Sequence, residues 1–572
     1  MIQDNFVRMF EDSFRHNWNL EAYTDYETKY TMTYAQVAEQ VEKLHLIFQQ
    51  CGIQKNDKVA LIGRNSSHWA VSYVATITYG AVIVPVLPDF AANDMHHILK
   101  HSDSKLLFVA DQIWDHLDEN ELGKVRAVFS LHKFEPLAVI EEAQPVLNEE
   151  TGERMRLTKE MLTPEVTQAM FDEKFKHNFH KDCIRYDYKD NDEVASINYT
   201  SGTTGFSKGV MTTGRALASN AAYGMHAKSY KYGTLVHRGD RMVTFLPLAH
   251  AYGCAFDFLG NTCAGGHTYY ITRTPTPKVL MAAFAEVKPT LILSVPLIIE
   301  KIYRKQILPM IAKPPVSWVP QVPGLNEVVL KQIHDKLVNV FGGEFEEIII
   351  GGAAMNAEVE AFFRKIKFPF TIGYGMTECA PLISYRHCTE FAQGSCGQIL
   401  ECMEVRIDEP NEDGIGEIVV RGDNVMTGYY KNEKATRDSF TEDGWLKTGD
   451  LGYVDIDGNI FIKGRSKTML LSANGQNIYP EEIEDKINNM PYVAESLVVQ
   501  RNGALVALIY PDGDACDASN FSHDDSINQM EVIRQEVNKQ LGNYEQIAAV
   551  ELQVQEFEKT PKNSIKRYLY AK

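Results

Sequence analysis

The sequence predicts an α/β protein with a large N-terminal domain of helix-covered, mostly parallel sheets, a small antiparallel subdomain within it, and a small α+β C-terminal domain. Three observations predict it. Helix and strand signals alternate through the first two thirds of the 572 residues, the pattern of β-α-β units whose parallel sheets are covered by helices. Around Val405 to Tyr453 the texture changes to short strands and turns such as Asp413-Gly414, Asp443-Gly444 and Asp457-Gly458, which favour antiparallel pairing. In the last hundred residues, two apolar runs, Ala494 to Arg501 and Ala504 to Tyr510, flank Asn502-Gly503, a strong hairpin turn signal, with helical segments on either side.

The first elements follow from local chemistry. Thr33 and Gln36 have capping-box spacing, and Val37, Val41, Leu44 and Phe48 recur at helical intervals until Gly52 stops the run. Lys58 to Gly63 reads as a buried strand, and Leu106 to Ala110 as another. Between them, Trp69 to Leu87 carries no charge for nineteen residues, long enough to span a bilayer on length alone. Gly80 and Pro85 interrupt it and hydroxyl side chains dilute it, so it divides into a helix ending near Tyr79 and a strand from Ala81 to Leu87. Arg241 to Leu246, Thr290 to Val295 and Glu347 to Ile350 read as further strands ending in Gly, Pro or His loops. Ligands of such folds gather at those ends. The charged 141 to 160 stretch reads as a solvated insertion, and the proline-rich Pro309 to Pro323 as an irregular surface loop.

Composition narrows the function. Hydrophobic residues make up 44% and charged residues 23%, ordinary for a globular chain with a large core, but the formal net charge is −19. That balance opposes a broad phosphate-binding face and predicts no nucleic-acid partner. Nine scattered cysteines include no CxxC pair, so neither a disulfide framework nor a zinc spacing is evident, and a reducing cytoplasmic location is expected. The N-terminal residues contain no apolar signal-peptide core.

Chemistry concentrates first in Tyr199 to Val210, where hydroxyls, three glycines and Lys208 lie between apolar flanks. Glycines let backbone N–H groups approach phosphate oxygens, hydroxyls add donors, and the lysine adds charge. Laid on the Walker A template from Gly202, the lysine falls correctly at 208, but Ser207 replaces the preceding glycine and Gly209 the hydroxyl that would hold Mg²⁺. A Rossmann reading of Gly373-Tyr-Gly375 fails for want of a third glycine.

The Ser201 to Gly209 run resembles the signature of the adenylate-forming superfamily of acyl-CoA synthetases, peptide-synthetase adenylation domains and luciferases. Five further segments follow in that superfamily's order: Pro247 to Gly253, Gly351 to Met355, Gly373 to Glu378, Trp445 to Asp450, and Lys463 to Lys467 leading into Ser472 to Ile483. The resemblance implies a reaction in two halves. A carboxylate attacks the α-phosphorus of ATP to give acyl-AMP and pyrophosphate, and a thiol then expels AMP.

It also implies roles. Thr200, Ser201, Gly202, Thr203, Thr204, Gly205 and Lys208 would hold the β- and γ-phosphates, with Thr204 and Lys208 acting in catalysis. Gly352, Ala353, Tyr374 and Gly375 would contact the nucleotide, Tyr374 by stacking on adenine. Thr377 would donate to the α-phosphate, and Glu378 would ligate Mg²⁺. Asp450 would accept the ribose hydroxyls, Arg465 would add a forked cation, and His250 would lie near the acyl carboxylate. The superfamily's late lysine maps to Lys566, with Lys562 as its rival, because Ile565 replaces the glycine usual before it. The implied organisation is an N-terminal domain over 1 to 464, a hinge at 465 to 467 pivoting at Lys467, and a mobile C-terminal domain over 468 to 572 with Gly475 on the path of coenzyme A.

The Thr560 to Arg567 tail and the Lys288 to Tyr303 segment resemble those of long-chain fatty acyl-CoA synthetases. A medium- or long-chain fatty acid is therefore the expected acid, with ATP, Mg²⁺ and coenzyme A as its companions. An aryl or other acid, an acyl carrier protein as acceptor, or a catalytically silent nucleotide-binding scaffold are the alternatives. Peripheral membrane contact is compatible with the sequence, whereas a transmembrane segment is not expected. The segment Thr212 to Arg215 departs from the Leu-Thr-His-like pattern of many relatives.

Overall fold

The computed structural model describes residues 4–140, 146–147, 154–200, 208–229, 233–304, 325–471, 477–519, 521–542, 545–560 and 564–571. Ser201, Gly202, Thr203, Thr204, Gly205, Gly475, Lys562, the 309 to 323 segment and most of 141 to 153 lie outside them.

The capping box forms as the spacing predicts. Gln36 N–H donates to the Thr33 hydroxyl and Thr33 N–H to Gln36 Oε1 at 2.8 Å. The helix Tyr34–Gln50 follows, and Gly52 ends it at φ +62°. Its Val37, Val41, Leu44 and Phe48 are buried, which places its apolar stripe on the core. The uncharged stretch is the helix Ser67–Thr78, capped by Ser66, then Gly80 at φ +84° and the strand Val82–Val86. Burial of both elements accounts for the missing charge. Pro85 stands opposite Leu61 in the ladder with Lys58–Ile62, while on its other side the strand Val194–Thr200 pairs with this one only at Ser196↔Ile83.

The largest sheet has eight strands. Strands Lys58–Ile62, Val82–Val86, Ser104–Val109 and Ala127–Ser130 run parallel, and Val194–Thr200 joins them in parallel. Antiparallel strands close its edges: Pro136–Val139 on one side, Lys208–Thr213 and Gly428–Tyr429 on the other. Trp69, Tyr73, Phe108, Phe129 and Phe258 fill the core on one face. A second sheet joins Arg241–Thr244, His267–Tyr270, Glu21–Asp25 and Tyr30–Thr33. A third holds three parallel strands, Ile292–Ser294, Ile348–Ile350 and Phe370–Ile372.

The antiparallel subdomain is a meander of Met403–Asp408, Gly416–Gly422, Leu446–Val454 and Ile460–Arg465. Its turn glycines Gly414, Gly444 and Gly458 all have positive φ. In the C-terminal region Val493–Arg501 pairs antiparallel with Ala504–Pro511. Asn502 and Gly503 sit at φ +50° and +81°, the paired left-handed residues of a type I′ turn. Ile547–Leu552 adds a parallel strand, covered by the helices Pro480–Asn488 and His523–Asn538.

The segment Thr212 to Arg215 closes a strand and opens a helix. Thr213 ends a strand and accepts Ala216 N–H at 3.1 Å, capping the helix Gly214–His226, while Arg215 bonds Asp192 at 2.7 Å. A Cβ on Gly214 would meet the Asn191 backbone at 3.3 Å. Among the described residues, no helix is long and apolar enough to cross a membrane.

Candidate active site

Thr200 stands directly across the ladder from Lys208, at the carboxyl end of a strand that pairs in parallel with Val82–Val86. This position suits ligand binding in an open α/β sheet. The Lys208 ammonium lies 4.9 Å from the Tyr429 ring centroid, within cation–π range. The Tyr429 hydroxyl donates to Glu378 Oε1 at 2.8 Å. Tyr429 thus bridges the lysine and carboxylate that the sequence separates by 170 positions. The sequence reading missed it, and a tyrosine pair after Thr427-Gly428 was its only signal.

Glu378 lies in a short 3₁₀ turn, Thr377–Cys379. Asn220 holds the following residues from the helix Gly214–His226: Oδ1 accepts Leu382 N–H at 3.0 Å, and Nδ2 donates to Cys379 O at 3.4 Å. Just before the turn, glycine is required at 375, where a Cβ would lie 2.1 Å from the Pro381 carbonyl oxygen.

Asp450 is buried, and both of its oxygens are engaged. Tyr374 donates to Oδ2 at 2.6 Å, and Arg465 Nε lies 2.8 Å from Oδ1. Asp450 and Arg465 are cross-strand partners in the antiparallel meander, which is why a spacing of fifteen residues brings them together. Thr448 accepts Asp450 N–H at 3.1 Å and donates to Ile418 O at 2.7 Å, fixing the Thr-Gly-Asp turn. Burial holds the Asp450 carboxyl above its ordinary range despite the opposing pull of Arg465 and Tyr374. The Tyr374 hydroxyl is raised far more, by burial and then by Asp450.

Gly351 and Gly373 sit at adjacent strand ends, donating N–H groups to Ser294 O and Ile350 O at 3.1 and 2.9 Å. Gly352 follows at φ +88°, with Ala353 beside it. His250 is half-buried, and its carbonyl accepts Cys254 N–H at the start of a π-helix, Gly253–Gly260.

Behind these motifs lies a cavity of about 690 Å³ of empty space, part of it open to solvent. Its wall is almost wholly apolar and includes Gly224, Leu235, Met242, Phe256, Leu293 and Ile349. Gly351, Gly373, Tyr374 and Gly375 also line it, so the nucleotide motifs and the apolar space share a boundary. The sequence reading did not find this cavity, whose walls come from separate helices and strands.

Residues 10–430 match the model of the AMP-binding enzyme family, and residues 467–572 match the AMP-binding enzyme C-terminal domain. The chain belongs to the AMP-binding enzyme family. It falls among the AMP-forming acid-CoA ligases of that superfamily. It is similar to long-chain-fatty-acid-CoA ligase FadD15 of Mycobacterium bovis, 28% identical over 82% of this chain and 75% of the relative. It also resembles the chloroplastic long-chain-fatty-acid-[acyl-carrier-protein] ligase AEE15 of Arabidopsis thaliana, 26% identical over 84% and 72% of the two chains. ATP-bound MatB from Rhodopseudomonas palustris shares the fold, with a TM-score of 0.71 at 20% identity over 99% of this chain and 98% of that one.

As in an AMP-binding enzyme with a C-terminal domain, the chain continues past Arg465 through an exposed turn containing Lys467 into residues matched by the second family model. Asn356 links the two parts, donating through Nδ2 to Asp485 Oδ1 at 2.8 Å and Asn489 Oδ1 at 2.5 Å. Arg304 donates to Asn488 O at 2.6 Å. The contacts of Lys566 lie within the small part: its N–H donates to Glu558 O at 2.8 Å, and its ammonium is 3.4 Å from the Glu558 carboxylate. Arg567 beside it is paired with Glu484 and Glu481. Tyr374, Asp450 and Arg465 therefore meet directly, Lys208 and Glu378 meet through Tyr429, and Lys566 pairs apart from both groups.

Proposed function

We propose that this protein ligates a medium- or long-chain fatty acid to coenzyme A through an acyl-adenylate, releasing pyrophosphate and AMP. The observation that carries this reading is the apolar cavity bordered by Gly373, Tyr374 and Gly375. A carboxylate directed at the nucleotide motifs would leave its hydrocarbon tail in that space. Each buried methylene adds about 0.8 kcal/mol, and the wall that would receive the tail is almost wholly apolar.

In this reading Lys208, with the 201 to 205 residues before it, holds the β- and γ-phosphates so that pyrophosphate leaves in line with the attacking carboxylate. Thr377 donates to the α-phosphate. Asp450 receives the ribose hydroxyls, Tyr374 flanks the adenine, and Arg465 stays with Asp450 as a donor to ribose or phosphate. The half-buried Glu378 carboxylate, beside the Lys208 and Tyr429 pair, suits a hard cation, so Mg²⁺ would be held there and would offset phosphate charge. His250 orients the acyl carboxylate. Lys566 reaches the α-phosphate when the 468 to 572 domain turns about Lys467, and Gly475 lines the path of the thiol after a second turn.

The test is ATP-pyrophosphate exchange across fatty, aryl and short-chain acids, followed by chromatography for acyl-CoA. Exchange should rise with chain length until the cavity fills. A preference for acetate or benzoate-like acids over octanoate and longer acids would overturn the fatty-acid reading. The similarity to a relative named as an acyl-carrier-protein ligase supports a second acceptor. A gel shift of carrier protein without acyl-CoA formation would select it.

A further inference from the structure

Away from the nucleotide motifs, Glu347 immediately precedes the strand Ile348–Ile350, and His387 and Cys388 follow the strand Leu382–Tyr385. A carboxylate oxygen, an imidazole nitrogen and the thiol sulfur of these three residues lie within 4.8 Å of one another. The Glu347 side chain is fully buried, and that of His387 is 7% exposed. His387 Nε2 lies 3.9 Å from Glu347 Oε2 and 3.2 Å from Glu346 Oε1. We propose that Glu347, His387 and Cys388 bind one Zn²⁺ ion.

The donor set carries the choice of ion. Thiolate and imidazole together with carboxylate suit zinc, whereas Mg²⁺ and Ca²⁺ prefer oxygen alone. Bonds of about 2.0–2.3 Å in a tetrahedron place the ligand atoms of this set roughly 3.3–3.6 Å apart, so the cluster must contract by up to about 1.5 Å. The outer hydrogen bonds are of the kind that orient metal ligands. Tyr385 donates to Glu347 Oε1, and Cys388 N–H donates to Oε2 at 2.9 Å, leaving Oε2 a second lone pair. Nδ1 lies 2.9 Å from the Thr389 hydroxyl, 3.3 Å from the Thr389 backbone nitrogen and 3.9 Å from Cys388 Sγ, and the hydroxyl can accept Nδ1–H once Nε2 coordinates. A further carboxylate oxygen, Glu346 Oε1, stands 3.2 Å from His387 Nε2.

Binding releases the thiol proton to solvent, because the thiolate is the ligand. Burial, and then the neighbouring Glu347, hold that thiol up without a cation, and a divalent ion reverses the balance. The ring of Tyr385 lines the apolar cavity, so the ion would brace one wall of that cavity from outside.

The experiment loads the full-length chain with Zn²⁺, dialyses it against metal-free buffer and measures retained zinc. The wild type should keep one equivalent and lose its added thermal stability to a strong chelator. His387→Ala and Cys388→Ser should lose the equivalent, while Cys183→Ser keeps it. Substitution by Co²⁺ should give a thiolate charge-transfer band that Cys388→Ser abolishes, and Glu347→Gln, which preserves side-chain volume, guards against loss through misfolding. Substoichiometric retention by the wild type would overturn the proposal. So would retention by Cys388→Ser equal to wild type, or a cobalt spectrum without the thiolate band.

Discussion

Gly224→Leu should shorten the acyl chains the enzyme prefers. Gly224 lies in the helix Gly214–His226 and lines the cavity. A Cβ there would sit 3.2 Å from the Phe256 ring and 3.9 Å from Gly260 Cα, so any larger side chain must enter the empty space or displace Phe256. Leucine brings four carbons and should exclude three or four methylenes. At about 0.8 kcal/mol each, the loss is roughly 2.4–3.2 kcal/mol, or about 50- to 200-fold in kcat/KM for chains that reach this point. Shorter chains should be unaffected. Removing an interior helical glycine returns about 0.5–1 kcal/mol, against roughly 1–3 kcal/mol for crowding Phe256, so the variant should fold with a modest change in Tm. The assay is kcat/KM for acyl-CoA formation over saturated acids, with Gly224→Ala as the milder step. An unchanged chain-length optimum, or a uniform fall across all lengths in a folded variant, would show that the acyl tail does not occupy this cavity.

Glu378→Ala should abolish acid-dependent pyrophosphate release, and near-normal release at saturating Mg²⁺ and ATP would remove Glu378 from the site. Lys566→Ala should lose acyl-AMP formation yet convert supplied acyl-AMP and CoA to thioester; that pattern in Lys562→Ala instead would reassign the lysine. Lys467→Pro should form and retain acyl-AMP while thioester synthesis falls by orders of magnitude, because proline fixes φ near about −65° at the proposed pivot; a wild-type rate would move the pivot elsewhere. Asp450→Asn should weaken ATP binding by roughly 1.5–3 kcal/mol without destabilising the neutral-pH fold. The native state favours protonated Asp450, so that contribution to stability is present below the unfolded value and lost as pH rises through the folded one. The variant's Tm relative to wild type should therefore be more favourable at pH 7 than at pH 4, and the opposite order measured in thermal melts would reverse the assigned direction.

What the sequence made legible was local chemistry. Thr33 with Gln36, and Asn502 with Gly503, announced a helix start and a hairpin because the deciding bonds span three residues or fewer. The resemblance implied separate nucleotide roles for Asp450 and Arg465, and their direct pairing comes from the antiparallel register. Tyr429 stayed hidden because its partners, Lys208 and Glu378, lie on other elements and its own segment shows only two short aromatic residues. Asn220 was invisible for the same reason: a helical asparagine gives no sign that it will hold a loop 162 positions away. The cavity was illegible because emptiness has no motif, and glycines at 224 and 260 register in a sequence only as weak helix formers.

The π-helix Gly253–Gly260 bears on how such a cavity can change. It begins three residues after His250, and it carries Phe256 and Gly260 on the cavity wall. A π turn holds one residue more than the α-helical ladder requires, so a single-codon deletion within it could be absorbed by reverting to α geometry rather than by breaking the chain. Each residue turns a helix by about 100°, and such a deletion would re-aim Phe256 while leaving the flanking motif and the Asn261–Ala264 helix in register with their neighbours. The segment thus holds a spare residue through which the cavity wall can be reshaped in one step, without first passing through a series of point substitutions.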